Sequence, residues 1–300
     1  MKLTYFEGVP PNFGDELNAF VWDEILPAGF LDADPSELFL GIGSILWDNY
    51  PTEAKKIVAG SGYGGYTAPP NMQDGSWDVI FVRGPRTAAR FNLPAEKAIC
   101  DSALLLRLLP TADVKAKPTK VAFMPHFESL ERGLWTQVCD RAQIPMIDPR
   151  GDPHEIMDRI RAVDVLITEA MHGAIVADAL RTPWICARPV QALHQAKWLD
   201  WSESLNIVLR AHALYPSNFQ EWYQTHLKNP EIWRGQSISQ KAILKPINDM
   251  LVARAAARLV TLAGFEPQLS AAEEISRVTS RATEALDKFV RLRGFSGLRI

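Results

Sequence analysis

The 300-residue chain reads as an α/β protein: two Rossmann-like domains facing each other across a cleft, followed by a C-terminal helical extension. Three observations predict this. Short apolar runs alternate with helical patterns, the signature of βαβ units on a mostly parallel sheet. The alternation pauses at residues 110–118, rich in Pro, Thr and Lys, and then restarts, as a linker between two α/β halves would make it do. Residues 163–188 (VDVLITEAMHGAIVADALRTPWICAR) read as a buried strand, a polar crossover, an Ala-rich helix and a second buried strand. In a parallel sheet such a crossover faces the ligand crevice, with the N–H groups of the following helix pointing into it.

In chain order, residues 3–6 are expected to form the first strand and 15–25 a helix. Strands follow at 38–41, 56–59, 79–82 and 97–99, with a helix over 85–90. Beyond the linker come strand 121–124, helix 129–142, strand 145–147, helix 154–161 and the strands 163–167 and 184–187. Residues 196–236 hold Trp198, Trp201, Trp222, Tyr223 and Trp233 among acids and amides. Such rings can stack on sugars, but more often they pack a peripheral helix onto its domain. A last helix, about 271–292, lines up Ile275, Val278, Ala282, Ala285, Leu286 and Phe289 on one face and basic residues on the other. Its apolar stripe docks either onto the protein, the expected case, or onto an anionic membrane. These elements divide the chain into domains at 1–115 and 116–245 and a helical extension at 246–300.

Composition excludes several classes. Hydrophobic residues make up 47% and charged residues 22%, which suits a soluble protein with a sizeable core. A net charge of −3 gives no global electrostatic argument for nucleic acid, so none is expected as a partner. The first residues lack the apolar run of a signal peptide, and no stretch approaches the roughly 18 uninterrupted apolar residues of a membrane span. Cys100, Cys139 and Cys186 are odd in number, far apart and without metal-site spacing. A cytoplasmic protein is expected, working free or at the inner face of the membrane, with homo-oligomerisation left open.

The polar residues that could carry chemistry sit where strands end. Asn12-Phe13-Gly14-Asp15-Glu16-Leu17-Asn18 joins the first strand to the first helix. Asp15 can cap that helix and the amides of Asn12 and Asn18 can donate to a ligand, unless this is an ordinary capped turn. Gly60-Ser61-Gly62-Tyr63-Gly64-Gly65 exposes backbone N–H groups that suit an anion, or is simply a mobile connection. In Phe81-Val82-Arg83-Gly84-Pro85-Arg86-Thr87 an Arg fork leaves the sheet beside a helix N-terminus, an arrangement suited to a carboxylate or phosphate. Asp101 follows the next strand as a helix cap or a cleft carboxylate. From the second half come His126, His172 and, after the next strand, Arg188. His172 either faces a ligand or caps a helix and fills a core gap. Anion-holding Arg opposite a titratable His is the makeup of a transfer site with phosphate as leaving group. The chain has no GxGxxG, no Walker-type loop, no HExxH and no ligand spacing for a metal, so no cofactor or metal is expected.

At this point the chain resembles the polysaccharide pyruvyl transferase family. NFGDELN, GSGYG, FVRGPRTA, CDSALLL and LITEAMHGAIVADALRTPW occur in that family's order over about residues 1–205. The resemblance implies a GT-B-like enzyme of two Rossmann-like domains that moves the enolpyruvyl unit of phosphoenolpyruvate onto a hydroxyl pair of a glycan. A ketal forms and phosphate leaves. It places the family's cleft Arg on Arg83 and its essential His on His172. Members often carry Arg-Leu just before that His, where this chain has Ala170 and Met171. A cation must then come from elsewhere, and Arg86, Arg188 and His126 are the candidates.

The expected function is therefore transfer of pyruvate as a ketal to a sugar of a bacterial exopolysaccharide or its lipid-linked precursor. His172 and Arg83 are the expected catalytic residues, whose Ala variants should abolish turnover and leave the fold intact. Asn12, Asp15, Asn18, Ser61, Gly62, Arg86, His126 and Arg188 are expected to bind the donor. Two other classes stay in view: a sugar-nucleotide-dependent glycosyltransferase, and a non-catalytic glycan-binding or assembly subunit.

Overall fold

The computed structural model describes residues 1–110, 119–189, 194–227 and 242–300. Residues 111–118 of the expected linker, the expected boundary at 115/116 and Trp233 lie outside the described residues. The chain is α/β, with two four-stranded parallel sheets each built in sequence order. The first holds β1 (Lys2–Leu3), β2 (Glu37–Leu40), β3 (Lys55–Ala59) and β4 (Trp77–Phe81). The second holds β5 (Thr119–Met124), β6 (Val163–Thr168), β7 (Trp184–Arg188) and β8 (Ala211–Ala213). Parallel strands are buried on both faces, which is why Ile57-Val58-Ala59 of β3 and Val165-Leu166-Ile167 of β6 are apolar at consecutive rather than alternating positions.

The helices of the first half are α1 (Phe13–Glu16), α2 (Asn18–Ile25) and α3 (Pro85–Arg90). Those of the second are α4 (Phe127–Arg132), α5 (Trp135–Ala142), α6 (Pro153–Arg161), α7 (Met171–Ala179), α8 (Gln195–Ser204) and α9 (Phe219–Leu227). The chain ends in α10 (Lys245–Ala263) and α11 (Ala272–Leu292).

Four expectations need correction. Strand 97–99 shrinks to a single bridge between Ala98 and Val82, because a 3₁₀ turn (Ala95–Lys97) precedes it and another (Ser102–Leu108) follows. Strand 145–147 shrinks to a bridge at Met146, since Pro145 has no N–H to give a ladder. The first strand lies at Lys2–Leu3 rather than 3–6, and the chain soon leaves the sheet through Val9-Pro10-Pro11. Helix 129–142 breaks at Gly133, whose backbone is extended and packed so closely that a Cβ there would lie 2.7 Å from Glu221 Oε1.

The two terminal helices part company. The stripe Val252, Ala255, Leu259 and Leu262 of α10 packs with Phe123 and Trp135 against the second sheet. The stripe Ile275, Val278, Ala282 and Leu286 of α11 is fully buried in the core that includes Phe30, Phe39 and Leu105 of the first half. The apolar face of α11 is thus docked on the protein. Trp184, Trp198 and Trp201 form a buried cluster with ring centroids 5.3–6.2 Å apart, so two of the expected aromatics pack a helix. All three cysteines are free and buried. Burial pushes the Cys139 thiol up to about 12, and no described helix is long and apolar enough to cross a membrane.

Candidate active site

The carboxyl ends of both sheets contribute to one cavity of about 420 Å³. Asn12, Asp15 and Ser44 line it from the first half, and His126, Glu128, His172, His194 and Lys197 from the second. Phe6, Trp47 and Tyr66 add rings to its wall.

His172 owes its place to the strand–turn–helix. β6 delivers the chain to Ala170, the extended residue that opens α7 without a side-chain cap, and His172 follows in the first turn. Gly173 must be small there, because a Cβ would come within 2.6 Å of Met124 Sδ and Thr168 Oγ1. The His172 ring rests on Gly14 at the head of α1, where a Cβ would fall 1.7 Å from His172 Nδ1. Its Nε2 lies 3.6 Å from Asp101 Oδ2. Asp101 caps the 3₁₀ turn, its Oδ1 accepting from the Ala103 N–H (3.0 Å), and its Oδ2 turns to the histidine; it is fully buried and does not line the cavity.

Asp15 is buried beside this pair and accepts from Asn12 Nδ2 at 2.5 Å. Burial pushes its carboxyl above the ordinary value, against the opposing pull of His172 and of the Asn12 hydrogen bond. His126 and His194 stack with ring centroids 4.4 Å apart. Burial holds both imidazoles below the ordinary histidine value, His126 far below. Burial alone would raise Glu128. The hydrogen bond from His194 and the charges of His194, Arg132 and Lys197 outweigh that and hold its carboxyl low. Behind them Arg132 is buried among three carboxylates, Glu221 at 3.3 Å, Glu169 at 3.6 Å and Glu128 at 3.9 Å.

The other expected site residues are framework or surface. Asn18 is fully buried: its Oδ1 accepts from Ile42 N and Trp22 Nε1, and its Nδ2 donates to the carbonyls of Asp15 and Ile42. Ser61 Oγ donates to the Gly41 carbonyl (2.6 Å), and Gly62 lies flat on the Arg83 guanidinium, 2.2 Å from Arg83 Cζ to an added Cβ. Arg83 is fully buried and does not line the cavity. Its Nε donates to Asp200 Oδ2 (3.0 Å), NH1 to Ser44 Oγ (2.7 Å) and NH2 to the Tyr63 carbonyl (3.1 Å). Arg beside a helix N-terminus does hold a carboxylate here, but it is the protein's own. Asp200 of α8 also accepts from the N–H groups of Arg86 and Thr87 at the head of α3 and from Thr87 Oγ1. Arg86 is spent on Glu203 at the surface, and Arg188 is exposed and donates to the Ala211 carbonyl.

Of the three candidates for a replacement cation, only His126 reaches the cavity. The cationic side chain that lines it is Lys197, which donates to the Tyr66 hydroxyl (3.2 Å) and makes no ion pair among the described residues. Glu128 stands at the head of α4, four residues past the end of β5, whereas nothing in the local sequence marks His194 and Lys197, which are brought in by the N-cap and first turn of α8. The absence of metal-ligand spacing likewise did not foretell that His126, Glu128 and His194 converge, with one ligand atom each, all within 4.8 Å.

A sequence model of a protein family described as polysaccharide pyruvyl transferase matches residues 12–188. The chain is also similar to the succinoglycan biosynthesis protein ExoV of Rhizobium meliloti (strain 1021), at 38% identity over 211 residues. The match covers 70% of this chain and 66% of that protein, just under two thirds of the relative's length.

Proposed function

Because this chain belongs to the polysaccharide pyruvyl transferase family, we propose that it moves pyruvate, as a ketal, from phosphoenolpyruvate to a sugar of a bacterial exopolysaccharide or its lipid-linked precursor. The observation that carries this reading is the placement of His172, in the first turn of α7, on a cavity that also holds Lys197. Phosphoenolpyruvate brings a carboxylate and a phosphate. The Lys197 ammonium suits one and the amide-rich head of α7 the other. The relative's role in succinoglycan biosynthesis supports a polysaccharide acceptor. Trp47 and the exposed rings of Phe6 and Tyr66 offer flat surfaces for the apolar face of a sugar.

In the proposed chemistry the methylene carbon of the donor takes up a proton and C2 is attacked by one sugar hydroxyl, which gives up its own proton. A second hydroxyl then forms the other C–O bond at C2, the C2–O bond to phosphate breaks, and phosphate carries that proton away. His172 holds and moves protons in these steps, since imidazole is the side chain that does so near neutral pH. Asp15, with its carboxyl raised by burial, stands on the same cavity as a second proton-holding group. The reaction as written needs no cofactor. The same reading takes 1–115 and 116–245 as the two GT-B-like domains and 246–300 as the extension, and sets the enzyme in the cytoplasm, either free or at the inner face of the membrane.

The test is phosphate release from phosphoenolpyruvate in the presence of glycan acceptors, beside the thermal shift produced by the donor alone. At about 100 times its Kd the donor stabilises the fold by about 2.7 kcal/mol. Lys197→Ala should lose most of that shift and His172→Ala should keep it while releasing no phosphate. A shift given by sugar nucleotides and not by phosphoenolpyruvate overturns the reading.

A further inference from the structure

We propose that His126 Nδ1, His194 Nε2 and a carboxylate oxygen of Glu128 form a binding site for one divalent transition-metal ion of the zinc class. The three ligand atoms lie within 4.8 Å of one another on the cavity wall. His194 Nε2 is 3.1 Å and His126 Nδ1 3.7 Å from the same oxygen, Glu128 Oε2. The two rings stack with centroids 4.4 Å apart and planes tilted by 30°, so a ring must turn for both lone pairs to meet at one ion.

Two independent observations point to a ligand at that place. First, His126 Nδ1 is buried without a hydrogen-bond partner among the described residues, and His126 as a whole is only 6% exposed. A buried ring nitrogen left unpaired is costly, and a cation shared with Glu128 would satisfy it. Second, the other nitrogen of His194, Nδ1, lies 3.0 Å from the Tyr66 hydroxyl. Metal-binding histidines are held in this way, with the far N–H given to an oxygen so that the near nitrogen presents its lone pair. Tyr66 is fixed in turn by Lys197.

Two imidazoles and one carboxylate are a donor set for zinc, and for iron or manganese in open sites, rather than for magnesium or calcium, which prefer oxygen throughout. Bonds of about 2.0–2.1 Å require the ligand atoms to draw in to roughly 3.3 Å apart. Three protein ligands leave a coordination position open toward the cavity. Binding of the ion rests on this geometry alone and not on the donor reading; that the open position would take a phosphate or carboxylate oxygen of the donor rests on it.

The chelator-treated full chain is dialysed against zinc and, separately, cobalt(II), with no phosphoenolpyruvate present. We expect one zinc per chain, tetrahedral cobalt(II) bands in the visible spectrum, and displacement of the His126 and His194 ring resonances on zinc addition. Glu128→Gln and His194→Gln should each weaken zinc binding by about tenfold or more. Binding by the wild type that is not stoichiometric, binding undiminished in both variants, or resonance shifts confined to the other histidines overturns the site. The wild-type spectra decide the matter if a variant does not fold. A chain that binds zinc but releases no phosphate upholds this site and overturns the proposed function; the reverse pair of results does the opposite.

Discussion

His172 Nε2 stands 3.6 Å from Asp101 Oδ2, a charge contact longer than a hydrogen bond, and neither atom has a hydrogen-bond partner among the described residues. The pair joins the two halves of the fold, since Asp101 follows the last parallel pairing of the first sheet and His172 follows β6 of the second. A carboxylate behind an imidazole fixes its tautomer and orientation and stabilises the charged ring during proton transfer. Asp101→Asn keeps the Oδ1 cap on Ala103 but loses that support. We expect it to lower the rate of phosphate release by about 10²-fold or more, with donor-induced thermal shift retained. An unchanged rate would reduce Asp101 to a helix cap.

Gly14 tests the seat of the same ring without touching its chemistry. An added methyl would sit 1.7 Å from His172 Nδ1, so the imidazole must move. A misplacement of about 1 Å can cost 10²-fold in rate. Gly14→Ala is expected to fall toward the activity of His172→Ala while circular dichroism stays native. Full activity would mean that the ring tolerates another position.

Arg83 is the place where sequence chemistry and structure diverge most usefully. The strand-end Arg beside a helix N-terminus is built to hold an anion, and it holds Asp200, with both side chains at most 3% exposed. Arg83→Ala leaves a buried carboxylate short of its cation, which costs about 3–5 kcal/mol, toward the lower figure because Arg86 N, Thr87 N and Thr87 Oγ1 still donate to Asp200. The fold is therefore not expected to survive this change intact. Urea denaturation should show the loss, and Asp200→Asn should show a smaller one. Undiminished stability with abolished turnover would return Arg83 to a direct role.

What the sequence made legible was periodic or local. Both parallel sheets follow from apolar runs except for β8, the short Ala211–Ala213 edge strand that no apolar run announces, and His172 follows from a strand, a polar turn and an Ala-rich helix read together. The NFGDELN turn likewise led to Asp15 and Asn12. What stayed hidden depends on contacts far apart in the chain. Asp200 reaches Arg83 across 117 residues and His194 reaches Glu128 across 66, and no spacing rule connects them. Lys197 was masked for another reason: on α8 it reads as an ordinary solvated lysine until the fold turns that helix toward Tyr66.

Asp15 gives the pH dependence. Burial raises its carboxyl above the ordinary value near 3.8, so the native state holds the proton longer than the unfolded chain does. Its contribution to stability is therefore fully present below that ordinary value and is lost as pH rises through the folded pKa, at up to about 1.4 kcal/mol per pH unit. Asp15→Asn keeps an acceptor for Asn12 Nδ2 and has no proton to lose. The difference in Tm between Asp15→Asn and wild type should grow in favour of the variant from about pH 4 upward and level off once wild-type Asp15 is ionised. Glu221, also raised by burial, and the buried histidines titrate in both proteins and cancel in the difference. A difference that stays flat across this range, or shrinks, would show that Asp15 ionises like an exposed carboxylate and cannot serve as the second proton-holding group of the cavity.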